Sequence, residues 1–152
     1  MTAADTQAIL FKSKHFFFGI EVENIAEITR IINFEPVSSQ SDCAQGYFYY
    51  REETLPIVDV CHYFNFNHGP FLIENLIAVV SGPDEKRAGL LLDEVLDIIS
   101  PSEYPRVTSY QIAPKYCHYA IEFDKKKIPV LNISNIYLEL MQNLSQSQPN
   151  AS

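Results

Sequence analysis

The chain has 152 residues, of which 47% are hydrophobic and 20% charged, a composition that supports a packed core and excludes a disordered chain. Eleven basic against nineteen acidic residues leave a net charge of −8. This charge excludes the cationic surface that nonspecific binding to nucleic acid or to anionic membranes requires.

Cysteine content and the N-terminus indicate the cellular compartment. Three cysteines, an odd and low number, do not make a disulfide framework and favour a reducing environment. The first residues lack the basic and apolar segments of a signal peptide, and the apolar stretches are too short to span a bilayer. We therefore expect a cytoplasmic protein that neither inserts into membranes nor binds nucleic acid.

The first part of the chain is dominated by short apolar runs typical of strands. Residues 8–12 and 16–22 flank Lys14-His15 and predict a hairpin. In 22–28, apolar residues recur at spacings of three and four, which predicts one or two helical turns. Residues 28–34 then return to a strand pattern.

The rest of the chain predicts further hairpins and a terminal helix. The predicted strand pairs are 47–50 with 55–60 across a turn at 51–54, 76–81 with 87–92, and 119–123 with 128–131 across 124–127. Residues 133–144 have helical apolar spacing and predict an amphipathic helix. About nine or ten short strands at hairpin spacing favour small antiparallel barrels or sandwiches over alternating βαβ units.

Catalytic and cofactor motifs are absent from the sequence. It contains no Gly-rich phosphate loop, no G-x-S-x-G, no H-E-x-x-H and no C-x-x-C. Two pairs, Cys61-His62 and Cys117-His118, offer the residue types of a zinc site. Neighbouring residues on a strand face opposite sides, however, so one pair does not readily supply two ligands to one ion. We predict no catalysis, no cofactor and no metal.

Three short motifs occur in a fixed order along the chain. They read FGIEVENIAEI at 18–28, then GYFYYR at 46–51 followed by LPIVDV at 55–60, and finally GLLLDEV at 89–95. Together they resemble the CheW-like adaptor family of bacterial chemotaxis over nearly the whole chain. The resemblance departs at Glu52, where the family usually has glycine, so the turn must use other chemistry or a longer loop.

The resemblance implies a mostly β fold of two small five-stranded barrels packed side by side, with a C-terminal helix. The first strand then crosses into the second lobe. The implied divisions of a single domain at 8–142 are lobe one at 14–74, lobe two at 8–13 plus 75–131, a helix at 133–144, and flexible tails at 1–7 and 145–152.

The resemblance also implies a non-enzymatic role. Family members bridge the cytoplasmic tip of a chemoreceptor of the methyl-accepting type to the regulatory domain of a CheA-type histidine kinase. One alternative is a CheW-like scaffold in a related pathway such as pilus motility. A second, from another functional class, is a double barrel that binds a small ligand in the cleft between its lobes.

Partner-binding residues follow from motif position in the family. The receptor tip is expected to lay an apolar ridge into a groove between the lobes, and the candidates are Ile25, Glu27, Ile28, Arg51, Leu92 and Val95. Ile25 is the first choice because it falls in the predicted helical turn, while ordinary core positions remain the alternative for Leu92 and Val95. Glu27 and Arg51 are expected to form an ion pair at the rim.

Five motif residues are expected to serve the fold. Gly46 opens a strand after a polar loop, and Pro56 starts the return strand, where a missing N–H costs least. Gly89 sits in an apolar strand and suggests close backbone approach or a bulge. Asp93 ends that strand and can bond local backbone N–H groups, and Asp59 completes the second motif.

Overall fold

The computed structural model describes residues 6–13, 16–30, 35–36, 44–58, 60, 76–82, 86–107 and 114–147. Short 3-10 turns occupy Val22–Asn24, Pro101–Glu103 and Pro114–Tyr116. The strands and the helix are β1 (Ala8–Ser13), β2 (Phe16–Glu21), β3 (Ile25–Arg30), β4 (Glu35–Pro36), β5 (Ala44–Tyr50), β6 (Glu53–Val58), β7 (Leu76–Ser81), β8 (Arg87–Leu92), β9 (Glu94–Ile99), β10 (Cys117–Phe123), β11 (Lys126–Leu131) and α1 (Ile133–Ser147).

The strands form two sheets, which confirms the predicted fold class of a mostly β protein with a C-terminal helix. Sheet 1 has the order β10-β11-β2-β1-β9, and sheet 2 has the order β3-β7-β8-β6-β5-β4. All four hairpins predicted at 8–22, 47–60, 76–92 and 119–131 are present as antiparallel pairs.

The sheets divide the chain differently from the expected lobes. Strand β2, expected in lobe one, pairs along its whole length with β1 in sheet 1, because only two residues connect these strands and hold them as hairpin neighbours. Strands β7 and β8, expected in lobe two, lie in sheet 2. The chain passes between sheets at Val22–Asn24 and again at Asp93, so sheet 1 takes 8–21 and 94–131, and sheet 2 takes 25–92.

Sheet 2 is strongly curled. Its edge strands β3 and β4 are joined by a step from Arg30 to Glu35, which spans at most about 18 Å. The edges of a flat six-stranded sheet lie about 24 Å apart. The sheet must therefore roll up to bring its edges together, as a barrel does.

Sheet 1 curls in a similar way. After β9, the chain returns to the free edge of β10 at residues 105–107. The Val107 N–H donates to the Ala120 carbonyl at 2.8 Å, and the Glu122 N–H donates to the Pro105 carbonyl at 2.9 Å. This short pairing brings the two edges of the sheet towards each other.

The largest buried cluster lies between the sheets rather than inside either one. Sheet 1, sheet 2 and α1 all contribute to this inter-sheet core, which comprises Phe11, Phe16, Phe18, Ile20, Val58, Val60, Ala78, Val80, Ala88, Leu90, Leu92, Leu131, Ile133, Ile136 and Leu140. A smaller cluster around Phe48 and Ile57 fills sheet 2, and another around Leu10 and Ile121 fills sheet 1.

The C-terminal helix begins at a side-chain cap. Asn132 Oδ1 accepts a hydrogen bond from the Asn135 N–H at 3.1 Å, which satisfies one of the unpaired donors of the first turn. The helix continues to Ser147, three residues beyond the predicted end, so 145–147 are helical rather than part of a flexible tail. At the N-terminal end of the chain, the Gln7 carbonyl accepts a hydrogen bond from the Val22 N–H at 2.9 Å. This bond anchors Gln7, the last residue of the expected N-terminal tail.

The β5–β6 hairpin turns in two residues instead of the four predicted. Arg51 and Glu52 have φ values of 47° and 68°, the left-handed pair that matches the twist of an antiparallel hairpin. Strand β6 therefore starts at Glu53, and Pro56 lies inside it opposite Tyr47, which corrects the prediction that Pro56 begins the strand. Gly46 likewise follows Ala44 and Gln45 within β5 instead of opening it. Asp59 lies outside the described residues.

Gly89 lies in a closely packed part of sheet 2, in line with the close approach that its motif position suggested. A Cβ atom there would lie 2.6 Å from Ile77 Cγ2 and 2.7 Å from Phe48 Cε1. Both neighbours are fully or almost fully buried. The glycine is therefore required by close packing.

Gly89→Ala is expected to destabilise the protein by roughly 1–3 kcal/mol, because a methyl group overpacks a core that has little room to move. Chemical denaturation measures this change. Gly19→Ala is the control, since its Cβ would lie 3.2 Å from Leu10 Cδ2, 3.5 Å from Val130 Cγ2 and 3.7 Å from the Ile9 carbonyl, a milder crowding than at Gly89. Equal effects of the two substitutions would contradict the packing explanation.

Glu52→Gly is expected to stabilise the protein by up to roughly 1.5 kcal/mol. The gain is the left-handed strain of a non-glycine residue, about 1–2 kcal/mol, less the extra chain entropy of glycine, about 0.5–1 kcal/mol. Lys125 has a φ of 64° in the β10–β11 turn and offers a matched substitution, Lys125→Gly. Denaturation midpoints should rise in both variants, and a fall in both would show that these turns are unstrained.

Candidate functional site

Two of the candidate residues, Ile25 and Ile28, lie on β3 at the edge of sheet 2. Ile25 is opposite Val80 and Ile28 is opposite Ala78, and both partners belong to the inter-sheet core. A β-bulge between Ile25 and Glu27 adds one residue, so positions three apart share a face. Both isoleucines are half-buried against the inter-sheet core.

The prediction that Ile25 belongs to a helical turn is wrong. The turn is a 3-10 segment that ends at Asn24, and Ile25 is the first residue of β3. The apolar spacing of three that suggested a longer helix is the spacing that a bulge produces in a strand. Ile25 nevertheless stays partly exposed.

A second bulged edge strand, β9, repeats this arrangement in sheet 1. Val95 pairs with Phe11 and Ile98 pairs with Ile9, and the register shift leaves Leu96 as the extra residue. Val95 and Ile98 therefore share the face that Phe11 and Ile9 present to the inter-sheet core. Their exposed fractions are 39% and 57%, so both offer apolar surface to a partner.

Ile98 was not among the sequence candidates. It lies in a run of aliphatic and acidic residues that predicted only a strand. The available signal was that Ile98 follows Val95 at a spacing of three, which a bulge brings to one face of a strand. Simple alternation would instead place these two side chains on opposite faces. The bulge that reverses this expectation has no unambiguous sequence mark.

Leu92 is corrected from partner-binding candidate to core residue. Its exposed fraction is 0%, and it belongs to the inter-sheet core at the end of β8, a strand paired on both sides. Asp93 follows it at the bend into β9 and is exposed. Its backbone N–H donates to the Lys12 carbonyl at 2.9 Å, which ties this passage between sheets to β1.

The predicted ion pair between Glu27 and Arg51 is present, and it includes a third residue. Arg51 Nη2 lies 2.9 Å from Glu27 Oε1, and the Tyr50 hydroxyl donates to the same oxygen at 2.7 Å. Arg51 Nε donates to the Tyr50 hydroxyl at 2.9 Å. This Glu27–Tyr50–Arg51 cluster links edge strand β3 to the end of β5 and so holds together the two sides of the curled sheet.

The cluster perturbs the ionisation of both charged members. Hydrogen bonds, first from the Tyr50 hydroxyl and then from Arg51, lower the pKa of the Glu27 carboxyl below its ordinary value of 4.5. The hydrogen bond to Glu27 is the main cause that raises the pKa of the Arg51 guanidinium. Tyr50 was interpreted from sequence only as part of an aromatic strand, since nothing in the local pattern places its hydroxyl beside Glu27.

The Cys-His pairs give no support to a metal site. Cys61 and His62 lie outside the described residues, and burial raises the pKa of the Cys117 thiol, which disfavours the thiolate that metals bind. His118 Nε2 lies 4.0 Å from Glu21 Oε1. Within the described ranges, no three His, Cys, Asp or Glu side chains come together as a possible metal site.

Comparisons with known proteins agree with this fold. The model of the CheW-like domain family matches residues 7–140. A curated relative, the chemotaxis protein CheW of Treponema pallidum (strain Nichols), is 20% identical over 146 residues, covering 86% of this chain and 81% of the relative. The crystal structure of the scaffolding protein TtCheW from Thermoanaerobacter tengcongensis superposes with a TM-score of 0.72 at 15% identity, covering 85% of each chain.

The family match extends over most of the chain, and the solved relative shares its fold. The chain belongs to the CheW-like domain family. None of the helices in the described part of the chain is long and apolar enough to cross a membrane.

The Glu27–Tyr50–Arg51 cluster predicts a specific change in acid titration. In Tyr50→Phe, the pKa of Glu27 should rise towards 4.5, because the largest cause of its depression is removed. Carboxyl-carbon NMR titration measures this value. Tyr49→Phe is the control, since Tyr49 is 49% exposed and no contact with Glu27 is present. An unchanged Glu27 pKa in Tyr50→Phe would contradict the hydrogen bond.

The same cluster predicts how stability depends on pH. Because the folded-state pKa of Glu27 is depressed, its stabilisation is fully present above pH 4.5 and is lost as the pH falls through the folded pKa. Urea denaturation should therefore show a gap between wild type and Glu27→Gln at pH 7 that narrows in acid. A gap of constant size from pH 7 to pH 3 would show that the carboxylate charge is not involved.

Proposed function

We propose that the protein is a cytoplasmic adaptor that couples the cytoplasmic tip of a chemoreceptor to the regulatory domain of a CheA-type histidine kinase. The observation that carries the proposal is the pair of half-buried isoleucines on β3. Ile25 and Ile28 cover the inter-sheet core while one side of each stays open. Membership of the CheW-like family supplies the class of partner.

The geometry of β3 suits an apolar helical ridge. Recognition of a helix in a groove needs aliphatic anchors with a polar rim. On β3, the bulge turns Ile25 and Ile28 to one face, while Glu27 pairs with Val79 on the opposite face. The Glu27–Tyr50–Arg51 cluster then places charged groups beside the apolar pair.

Strand β9 offers a second apolar element of the same kind. Val95 and Ile98 lie on the face of sheet 1 that looks towards the inter-sheet core. We propose that they form the opposite wall of the receptor groove, with Ile98 taking the place first given to Leu92. The chain thus presents one bulged edge strand from each sheet to its partner.

The proposal that the chain binds a kinase rests on its membership of the CheW-like family. The regulatory domain of a CheA-type kinase resembles this chain in its double-barrel fold, and the net charge of −8 directs the adaptor towards protein partners instead of nucleic acid or anionic lipid. A pull-down with the kinase regulatory domain and the receptor-tip fragment from the same genome tests the coupling role. Binding to neither would overturn it and leave the fold assignment intact.

Ile25→Glu tests the groove directly. A half-buried edge residue should lose about 1–2 kcal/mol of stability on this change, whereas a fully buried unpaired charge costs several. Binding to the receptor-tip fragment should fall at least tenfold, because the charge lies in the apolar contact. Titration calorimetry and chemical denaturation measure the two effects, and Ile25→Ser serves if the charged variant is too unstable.

Leu138→Glu is the matched control for this substitution. Leu138 is an exposed aliphatic residue on α1 and belongs to neither edge strand. Its variant should fold and bind as wild type does. If Ile25→Glu keeps both its stability and its receptor affinity, the groove assignment is wrong.

A further inference from the structure

Side chains close the curled sheet 2 at its seam, where β3 meets the end of β5. These two strands are four steps apart in the sheet order, which in a flat sheet would separate them by about 19 Å. The Tyr50 hydroxyl nevertheless lies 2.7 Å from Glu27 Oε1. Within the part of the chain that the structure describes, no backbone ladder joins β3 to β4 or β5. The seam is therefore held by the Glu27–Tyr50–Arg51 cluster.

Tyr50 is the fixed member of this cluster. It is 9% exposed, whereas the side chains of Glu27 and Arg51 are 36% and 68% exposed. The Tyr50 ring packs against Phe48 in the core of sheet 2, with ring centroids 6.2 Å apart. An exposed ion pair holds its geometry weakly, because two long side chains must be ordered together. The buried ring of Tyr50 instead holds its hydroxyl in one place.

The hydroxyl contacts both charged partners at once. It donates to the Glu27 carboxylate and accepts from Arg51 Nε at 2.9 Å, while Arg51 Nη2 donates to the same carboxylate oxygen. The guanidinium carbon also lies 5.3 Å from the centroid of the Tyr50 ring. Loss of the hydroxyl alone would thus loosen Glu27 while the ring and both charges remain.

Glu27 connects the cluster to the proposed receptor surface. It follows the bulge of β3 and pairs with Val79, on the face opposite Ile25 and Ile28. A bulge sets the direction of the side chains around it, and β3 is paired with a neighbouring strand on one side only among the described residues. Holding Glu27 in place therefore holds the backbone that directs the two isoleucines.

We propose that Tyr50 is a positioning residue for receptor recognition, whose buried hydroxyl holds Glu27 and, through it, the bulged strand that presents Ile25 and Ile28. This inference rests on the proposed receptor-coupling function and deepens it at the same site. Tyr50 acts through Glu27 rather than by touching the receptor. A surface that is ordered before binding avoids the cost of becoming ordered in the complex, and this difference increases affinity.

Tyr50→Phe removes the hydroxyl and keeps the buried ring. Two properties of the full chain are measured, the amide hydrogen exchange of residues 25–30 and the binding of the receptor-tip helical hairpin from the same genome. Exchange in β3 should become faster while the central strand β8 keeps its protection, because the change loosens one edge of the sheet. Receptor binding should weaken about three- to tenfold, since the ordering of β3 then opposes binding.

Salt distinguishes positioning from a direct charge contact with the receptor. Near 1 M salt the screening length is about 3 Å, so a long-range contribution of Glu27 or Arg51 largely disappears. The contact made by Ile25 and Ile28 is apolar and is not screened. The difference in affinity between wild type and Tyr50→Phe should therefore persist in high salt, and its disappearance would overturn the positioning role.

Tyr116→Phe is the matched control. The Tyr116 hydroxyl also donates to a glutamate carboxylate, that of Glu139, but this bond joins the Pro114–Tyr116 turn to α1 instead of to β3. The variant loses the same type of hydrogen bond and its contribution to stability. Its receptor affinity should stay within about twofold of wild type, because β3 is still held by Tyr50.

The outcomes separate this inference from the proposed function. Receptor affinity or β3 exchange that is unchanged in Tyr50→Phe, or affinity that falls equally in Tyr116→Phe, overturns the role of Tyr50 and leaves the receptor-coupling function standing. Failure of the wild type to bind the receptor tip overturns both. Faster exchange in β3 together with a salt-resistant loss of affinity in Tyr50→Phe alone supports the positioning role.

Discussion

The inter-sheet core is the constraint on which the rest of the structure depends. Residues from both sheets and from α1 meet there, and this cluster is larger than the one inside either sheet. Each sheet is apolar on two faces and must cover the outer one with its neighbour. The two halves of the chain therefore stabilise each other, and α1 covers part of the same core through Ile133, Ile136 and Leu140.

The exposed aliphatic surface on β3 and β9 results from how this core ends at the sheet edges. At the centre of the sheets, strands such as β8 are paired on both sides, and their apolar residues are fully covered. At the edges, Ile25 and Ile28 of β3 pack against the core, and among the described residues no further strand pairs with the outer side of β3 or β9. Bulges in both edge strands disrupt regular pairing, which protects an open edge against indiscriminate strand addition. Recognition is thereby left to side chains.

Much of this fold could be predicted because local signals and tertiary structure agree. Hairpins with short connections and the spacing of Ile133, Ile136 and Leu140 specify their own pairing or face. The ion pair of Glu27 with Arg51 could be predicted only by resemblance, since the two residues lie on different strands. Nothing in the local sequence announces that Tyr50 completes it, because that contact exists only after sheet 2 has curled.

The errors at the candidate site have two physical origins, the strand bulges and the sheet order. A bulge gives a strand the apolar spacing of a helix, so Ile25 was placed in a turn and Ile98 was overlooked. The exposure of Leu92 could not be determined either, because GLLLDEV reads equally well as an edge or a central strand. Which side of a strand meets a neighbour is decided by sheet order, and sheet order is a property of the whole chain.

The two passages between sheets have a mechanical consequence. At the first, the Val22 N–H bonds the Gln7 carbonyl just before β1, and at the second, the Asp93 N–H bonds the Lys12 carbonyl near the end of β1. Both joints are thus pinned to opposite ends of a single strand. Any rocking of one sheet against the other must therefore bend β1 or break one of these two hydrogen bonds, so a displacement at one passage is felt at the other.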